Sequence, residues 1–545
     1  MIKKFLTSWC LILLIFILAS ILRFNKLGEI PLSLSWDEVA QGYNAYALAT
    51  TGKDEFGRAW PIDYLESFGD FKPVLYTYMT IMPVKIWGLN EFSTRFASAF
   101  FGSVTVLITY FLVLQLFFKS ENKKTLALLT SLFLAISPWH INLSRAAFEA
   151  NLGLFWIVLA MYLLLRGLNG QRLSFILSAF PFAAVFYTFN ATRTFVPLFL
   201  ISIAVILIKD WKILWKKGII FGVVLFILLI PIIPHLFSPQ AQLRFREVNI
   251  FSDLKPIKIS NARIKTDNDI WWAKILHNRR LMFSLEFIKH YSDNLNLDFL
   301  FIHGDGNPKF SIQDVGQLYL FDLPLFFIGI VFLIKKYPPA AKIIFVWLLI
   351  GIVPAATARE TPHALRILHT LPTWQIILAV GWYEAWLWLK FKKRGVIIII
   401  VAILGLTGNF FWYIHNYYAH YPKEYAGQWE YGYKQAISYI NRVYKQYDRI
   451  VITNNMGRPY IYFLYYNQYS PYKFRQTATI KRDTFGFVDV LGFDKYIFTN
   501  NFDLPAKPGQ KTLFIVFPQD VPKTKAVKET INLPNGSTIL NSYEQ

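Results

Sequence analysis

Cysteine is almost absent. Cys10 stands alone among 545 residues, which excludes an intramolecular disulfide and a cysteine-based metal site. Acidic residues are scarce as well, 34 against 56 lysines and arginines, giving a formal net charge of +22. No basic soluble domain or nucleic-acid-binding motif accompanies that excess, so no nucleic-acid partner is expected. Internal repeats and low-complexity segments are also missing. Only 17% of the residues are charged, too few to give a chain of this length the polar faces of a soluble multidomain protein.

What is present is apolar and aromatic. Hydrophobic residues make up 54% of the chain and aromatic ones 18%, and they gather in runs of 15 to 23 residues. About 20 such residues cross a bilayer core of about 30 Å. Eleven runs read as spans: 5–22, 96–118, 125–141, 148–165, 173–189, 194–208, 218–236, 318–334, 343–357, 368–389 and 396–414. The fold class expected is a polytopic α-helical membrane protein of the cell membrane, with about 11 spans in a range of 10–13. Lys3, Lys4 and the run to Leu22 also suit a signal peptide, but Leu18-Ala19-Ser20 is a poor cleavage site. An uncleaved first helix is expected.

One run, 74–89, is broken by Pro83 and Lys85. Loop charge decides its direction. If it lies along the surface, Lys119, Lys123 and Lys124, Arg166 and Arg172, and Lys209, Lys212, Lys216 and Lys217 share one side with Lys3 and Lys4. So do Lys335, Lys336 and Lys342, and Lys390, Lys392, Lys393 and Arg394, opposed only by Glu121 and Asp210. That is the cationic bias of cytoplasmic loops. The run 74–89 is therefore expected as an interfacial helix. The first outer loop (23–95), a long outer loop (237–317) and the segment 416–545 then share the other side.

The polar segment 416–545 reads as a small α/β domain outside the membrane, distinct from a membrane domain over 1–415. It shows helical spacing over 433–447 and short β-rich runs at 449–453, 495–499 and 512–517.

Charged clusters map to the outer side. Trp36-Asp37-Glu38 puts two carboxylates in the first outer loop, where Ser35 and one of them would also serve to cap a helix over 39–49. Asp70-Phe71-Lys72-Pro73 precedes the interfacial helix; its lysine suits lipid phosphate, whether of the bilayer or of a substrate. Arg145 and Glu149 are i,i+4 neighbours after the third span, where a local ion pair accounts for them equally well. Asn190 and Arg193 mark another outer helix end, with interfacial anchoring as the plain alternative. Arg359, Glu360, His363 and Arg366 crowd the loop between two spans, and three of them can donate to phosphate oxygens.

These residues, in this order, resemble the GT-C glycosyltransferases, especially the protein O-mannosyltransferases of glycosyltransferase family 39 and the bacterial aminoarabinose transferases of lipid A. The landmarks are Trp36-Asp37-Glu38, Lys72-Pro73, the stretch Gly88-Leu89-Asn90-Glu91-Phe92-Ser93-Thr94-Arg95-Phe96, Ser144-Arg145 with Glu149, and His363-Ala364-Leu365-Arg366 before Leu371-Pro372. The likeness runs over about residues 1–415. It implies a membrane enzyme that takes a sugar from a polyprenyl-phosphate donor on the extracytoplasmic side, with Asp37 at the reaction centre. The chain departs from the aminoarabinose transferases, which carry Glu directly before Lys-Pro and Asp where Glu149 stands. Its tail is not the β-trefoil of the eukaryotic protein mannosyltransferases.

The expected reaction is sugar transfer to an acceptor hydroxyl on protein, lipid or glycan, with inversion. Asp37 and Glu38 are the expected catalytic pair. Asp70, Lys72, Arg145, Glu149, Asn190, Arg193, Arg359, His363 and Arg366 are the expected substrate-binding residues. No cofactor is certain; a divalent ion, if one is used, would sit on Asp37 and Glu149. An oligosaccharide ligase using a larger lipid-linked glycan, and a flippase of a polyprenyl-linked lipid, are the alternatives. The flippase is disfavoured because the spans carry few interior charges and no paired half-repeats.

Overall fold

The computed structural model describes residues 2–208, 211–239, 241–242, 248–483, 487–505 and 509–545. Lys209 and Asp210, read above as loop charges, lie outside the described residues, as do the side chains of Lys3, Lys4 and Lys212. The chain divides into two compact units. One comprises Met1–Arg23, Phe100–Ser144 and Glu149–Ile414, and the other Phe24–Ala99, Arg145–Phe148 and His415–Gln545.

The first unit is helical. A helix occupies each of the eleven expected positions, but not all are full spans. Among the described residues, five helices are long and apolar enough to cross a membrane by themselves: Glu91–Leu116, Glu149–Leu168, Leu214–Leu236, Pro338–Ala356 and Gly395–Glu424. A sixth is counted if Lys123–Ile136 and Pro138–Ser144 are one span, bent by 56°. Pro138 cannot donate its nitrogen to the preceding turn, and the helix breaks there. The run expected over 173–189 divides at Ser178 into Arg172–Leu177 and Ala179–Phe186. Leu323–Lys336 has 14 residues and Thr373–Leu389 has 17. These last two helices cross closely. A Cβ on Gly329 would stand 2.0 Å from the Ile377 carbonyl oxygen, and one on Gly381 would stand 1.9 Å from that of Leu325. Small residues at such a crossing let backbones touch where lipid supplies no hydrophobic drive.

In the second unit, the run expected to lie along the surface is the helix Leu75–Trp87. Its 13 residues rise about 20 Å, short of a bilayer core. Its buried face carries Tyr76, Thr77, Thr80 and Val84, while Met82, Ile86 and Trp87 are exposed. An apolar outer face on a short helix suits a membrane interface.

The tail forms a seven-stranded mixed sheet. Strands β1 (Leu65–Ser67) and β2 (Asp70–Lys72) make a separate hairpin in the first outer loop. The sheet is built of β3 (Arg449–Ile452), β4 (Thr479–Arg482), β5 (Val488–Phe493), β6 (Tyr496–Phe498), β7 (Thr512–Val516), β8 (Glu529–Asn532) and β9 (Thr538–Glu544), in the order β4-β5-β6-β3-β7-β9-β8. The central β3 runs parallel to β6 and β7; the remaining pairs are antiparallel.

Alternation sorts the side chains of this sheet. Ile450, Ile452, Leu513 and Ile515 face the larger core, and Val451, Phe514 and Val516 the smaller one. The larger core also contains Leu34, Val39, Ala40 and Tyr43 from the first outer loop, so loop and tail share one hydrophobic interior. Tyrosines of the helix Pro459–Tyr466 fasten the two. Tyr462 donates to the Leu34 carbonyl (3.1 Å), and Tyr465 shares a hydrogen bond with Thr94 (2.7 Å).

Two features of this interior make testable demands. Phe68 and Gly69, the central residues of the β1–β2 turn, both have positive φ, +60° and +78°. Two positive angles in succession define a type I′ turn. A Cβ on Gly69 would stand 2.2 Å from Phe487 Cα, a backbone atom that has nowhere to retreat. Gly69→Ala should therefore lower thermal stability in detergent by more than the ~1 kcal/mol of left-handed strain alone.

The second feature is Glu55, which is fully buried and accepts from Ser67 Oγ (2.8 Å) and Asn44 Nδ2 (3.2 Å). Burial pushes its carboxyl from 4.5 up to about 8, against the pull of those two bonds. The folded chain thus holds a proton there that the unfolded chain has released. This contribution to stability is complete below about pH 4.5 and is lost as pH rises toward 8, by about 1.4 kcal/mol per unit. Glu55→Gln should flatten the fall in unfolding stability between pH 5 and pH 8.

Candidate active site

The site begins with a helix start. Ser35 caps the helix Trp36–Thr51 in a reciprocal box: the Glu38 amide donates to Ser35 Oγ (3.5 Å), and the Ser35 amide donates to Glu38 Oε2 (2.9 Å). The local sequence Ser-Trp-Asp-Glu dictates this, because a hydroxyl and a carboxylate three residues apart satisfy two otherwise orphaned amides. Gly52, at φ +68°, closes the other end by donating to the Leu48 carbonyl.

The capping role falls to Glu38, which also holds a buried network. Its side chain is fully buried, and Oε1 accepts from Arg95 Nε (2.9 Å) and from the Ala147 amide (2.9 Å). Arg95 is equally buried and donates onward to the carbonyls of Pro31 (2.8 Å), Ser33 and Leu27 (3.3 Å). Its guanidinium lies 5.9 Å from the Trp429 ring. Every donor of this charge is directed at an oxygen or a ring, the condition under which a buried ion pair is tolerated.

With Glu38 occupied, Asp37 turns outward. Its side chain is 47% exposed and receives a charged hydrogen bond from Lys72 Nζ. Lys72 is itself buried to within 7% of its side chain, at the end of β2, with its ammonium 5.2 Å from the Phe68 ring. Asp70 and Lys72 are two residues apart on β2 and so share one face, while Phe71 points the other way against the edge of Tyr64. Arg145 is buried; it donates to Tyr417 Oη (3.0 Å) and to the Ile30 carbonyl (3.3 Å), and lies over the rings of Tyr417 and Tyr418. The second unit thus gathers Asp37, Glu38, Asp70, Lys72 and Arg145, together with Arg95, whose role the sequence reading missed although its motif stood among the landmarks.

The remaining expected residues belong to the first unit. Glu149 opens the helix Glu149–Leu168, half-buried. Asn190 and Arg193 occupy the first turn of the helix Asn190–Ile206, three residues apart and so on one face. Arg193 Nε donates to the Phe186 carbonyl (2.9 Å), while Arg193 Nη2 and Asn190 Oδ1 are buried without a hydrogen-bond partner. In the loop 358–367, Arg359 is exposed, with its Nε on the Asn249 carbonyl (3.4 Å), and Arg366 Nη1 reaches the Glu360 carbonyl (3.4 Å). His363 stacks on Phe310 at 4.9 Å, and burial with the nearby Arg366 charge keeps its imidazole neutral.

Asp305, another residue missed from sequence, pins this loop by accepting from the Ala364 amide (2.6 Å) and the Asn307 amide (2.8 Å). Burial raises its carboxyl to about 6. Among the described residues, no group of three or more His, Cys, Asp or Glu side chains gathers to hold a metal ion. With Lys72 on the Asp37 carboxylate, the donor set does not fit a resident cation.

Comparison with known structures defines the class first. The chain shares the fold of two solved proteins, ArnT and the oligosaccharyltransferase AglB. It aligns with ArnT from Cupriavidus metallidurans in the apo state over 99% of this chain and 98% of that one, at 12% identity and a TM-score of 0.56. The same enzyme bound to undecaprenyl phosphate gives 11% identity and a TM-score of 0.53 over the same spans. The archaeal oligosaccharyltransferase AglB from Archaeoglobus fulgidus, solved with an inhibitory peptide and a dolichol-phosphate, gives 12% identity and a TM-score of 0.52 over 85% of this chain. The chain spans only 64% of that protein's length.

A family match follows. Residues 13–241 match the model of the dolichyl-phosphate-mannose-protein mannosyltransferases. In sequence over that stretch, and in fold over its length, the chain resembles the GT-C glycosyltransferases. No curated protein sequence matches it.

Glu38→Ala would leave Arg95 buried without its counter-charge. Such a loss costs about 3–5 kcal/mol, and unfolding in detergent should report it as a lower midpoint together with loss of the site.

Proposed function

We propose that this protein transfers a sugar from a polyprenyl-phosphate donor to an acceptor hydroxyl on the extracytoplasmic side of the cell membrane, with inversion at the anomeric carbon. The observation that carries the reading is the division of labour between adjacent carboxylates. Glu38 is locked into the framework, and its neighbour Asp37 is left half-exposed beside a buried lysine.

A sugar on a lipid phosphate has an anionic leaving group, so no strong general acid is needed, unlike the carboxylate pair of a glycosidase. What is needed is a base for the attacking hydroxyl and a fixed cation for the departing phosphate. Asp37 fills the first role. Lys72 fills the second, with its ammonium shared between Asp37 and the incoming phosphate. Arrival of the donor draws Lys72 toward phosphate and releases the Asp37 carboxylate to accept a proton. The hydroxyl oxygen then bonds to the anomeric carbon as the carbon–phosphate oxygen bond breaks, and the lipid phosphate departs with its electron pair.

Glu38 acts as a positioning residue through the helix start. Arg145, buried against Tyr417, serves the same end by fixing the chain next to Ala147. Asp70, on the same face of β2 as Lys72, adjusts the field around that lysine. In the first unit, Asn190 and Arg193 offer a buried acceptor and a buried donor to a polar ligand group, and Glu149, Arg359, His363 and Arg366 offer further polar contacts. No step runs through a metal ion. Protein, lipid and envelope glycan remain the acceptor classes, and the donor is a hexose or pentose. The fold shared with an oligosaccharyltransferase supports a second reading, in which a whole lipid-linked glycan is transferred.

Asp37→Asn should reduce transfer by about 10²–10⁴-fold while donor binding survives. Transfer is followed as release of polyprenyl phosphate from a labelled donor by the full-length protein in detergent. Full turnover by that variant would remove Asp37 as base, and retained anomeric configuration in the product would remove the single displacement. Turnover with lipid-linked oligosaccharide but not with a single-sugar donor would select the second reading.

A further inference from the structure

The segment after the helix Trp211–Leu229 contains a helical hairpin that the proposed reaction does not use. It consists of Lys255–Thr266, a short turn Trp271–Leu276, and Arg279–Asp293. Ser260 Oγ donates to the His277 carbonyl (2.5 Å) and holds the hairpin closed.

Its surface composition is unusual on two counts. Between 254 and 289 stand eight lysines and arginines, all exposed, against three acidic residues. Among them lie large apolar side chains that face outward: Trp271 is 75% exposed, Ile275 66%, Leu254 62% and Ile288 58%. Scattered exposed leucines need no explanation, but exposed tryptophan and isoleucine interspersed with cations along one hairpin are the composition of an interfacial element.

The hairpin's attachment gives its level. Tyr291 Oη donates to the Leu349 carbonyl (2.8 Å), within the apolar helix Pro338–Ala356. Leu349 lies seven residues, or about 10 Å, inside the end of that helix, and its own side chain is exposed. The helix Arg279–Asp293 therefore flanks the apolar part of a span and does not stand clear of it. An open groove of about 440 Å³ runs along Phe251, Phe283, Phe287 and Ile288, with Arg280 on its lining. Apolar floor and cationic rim match the two ends of a lipid.

We propose that this hairpin docks on the adjoining bilayer surface and prefers anionic phospholipid. Trp271, Ile275 and Ile288 enter the headgroup boundary, an acyl chain enters the phenylalanine groove, and Lys274, Arg279 and Arg280 meet lipid phosphate. Cations near an anionic surface gain from its potential within a Debye length, and the aromatic rings supply the apolar hold that phosphate pairing alone lacks.

The inference is independent of the transfer reaction, and its test needs no turnover. The full-length protein with Cys10→Ser and Trp271→Cys carries an environment-sensitive fluorophore at position 271. It is reconstituted in nanodiscs of phosphatidylcholine alone or of an equal mixture with phosphatidylglycerol, each containing headgroup-proximal nitroxide lipid. Quenching is expected in both, deeper by about twofold with phosphatidylglycerol, and reduced to the phosphatidylcholine level by high salt or by Lys274→Gln with Arg279→Gln and Arg280→Gln. Absence of quenching in either lipid overturns the docking. Equal quenching in both overturns the anionic preference. Quenching that appears only when undecaprenyl phosphate is added assigns the hairpin to that single lipid and overturns the bilayer surface as its partner.

Discussion

The buried carboxylate of Glu38 is the constraint on which the second unit depends. It binds the amide that starts its own helix, the guanidinium of Arg95 and the amide of Ala147, three points widely separated along the chain. Charge makes this arrangement demanding. An ionised group without water must receive a donor at each lone pair, and any donor lost leaves a penalty of several kcal/mol. The backbone around 35, 95 and 147 is therefore held to the geometry that satisfies it. Asp37, one residue earlier on the same helix turn, inherits a fixed position and receives Lys72 Nζ on its carboxylate.

The same economy recurs around that centre. Tyrosine hydroxyls join the first outer loop to the tail alongside two ion pairs, Arg482 with Glu66 and Lys434 with Glu91, whose cations reach solvent. Glu55 is the exception, and it is held protonated by burial. In the first unit, the loop 358–367 is fixed through its main-chain groups. The His363 amide rests on Asn294 Oδ1 (3.0 Å), the Ala364 amide on Asp305, and the Trp139 indole donates to the Ala364 carbonyl (3.1 Å). Arg359 and Arg366 stand on this backbone with their guanidinium groups on the Asn249 and Glu360 carbonyls.

Local rules carried a good deal of this structure. Apolar runs located a helix at each of eleven positions, five or six of them long and apolar enough to span among the described residues, and Ser35 with Glu38 announced the helix start because capping needs only residues three apart. The helix at Tyr433–Val443 and strands β3, β6 and β7 were legible from periodicity and from short β-branched and aromatic runs. Strands β4, β5, β8 and β9 were not. β4 is exposed throughout, and β5 and β9 alternate without a continuous apolar run, so their burial is decided by pairing partners elsewhere in the chain. Span lengths were overestimated where the helices divide, at Pro138 and at Ser178. The Glu38–Arg95 pair lay beyond local reading, because 57 residues separate its members and no periodicity links them. That Glu38 and not Asp37 caps the helix escaped for a related reason: sequence shows two carboxylates, and only geometry shows which one is buried.

The core that joins residues 34–43 to strands near the end of the chain carries a consequence for biosynthesis. A ribosome delivers Asp37 long before the segment 433–540. Until that segment has left the ribosome and reached the same compartment, Val39, Ala40 and Tyr43 have no apolar wall to rest on. The helix that carries Asp37 thus waits for a distant part of the chain, and a chain cut short before residue 433 would hold that carboxylate on an unsupported helix.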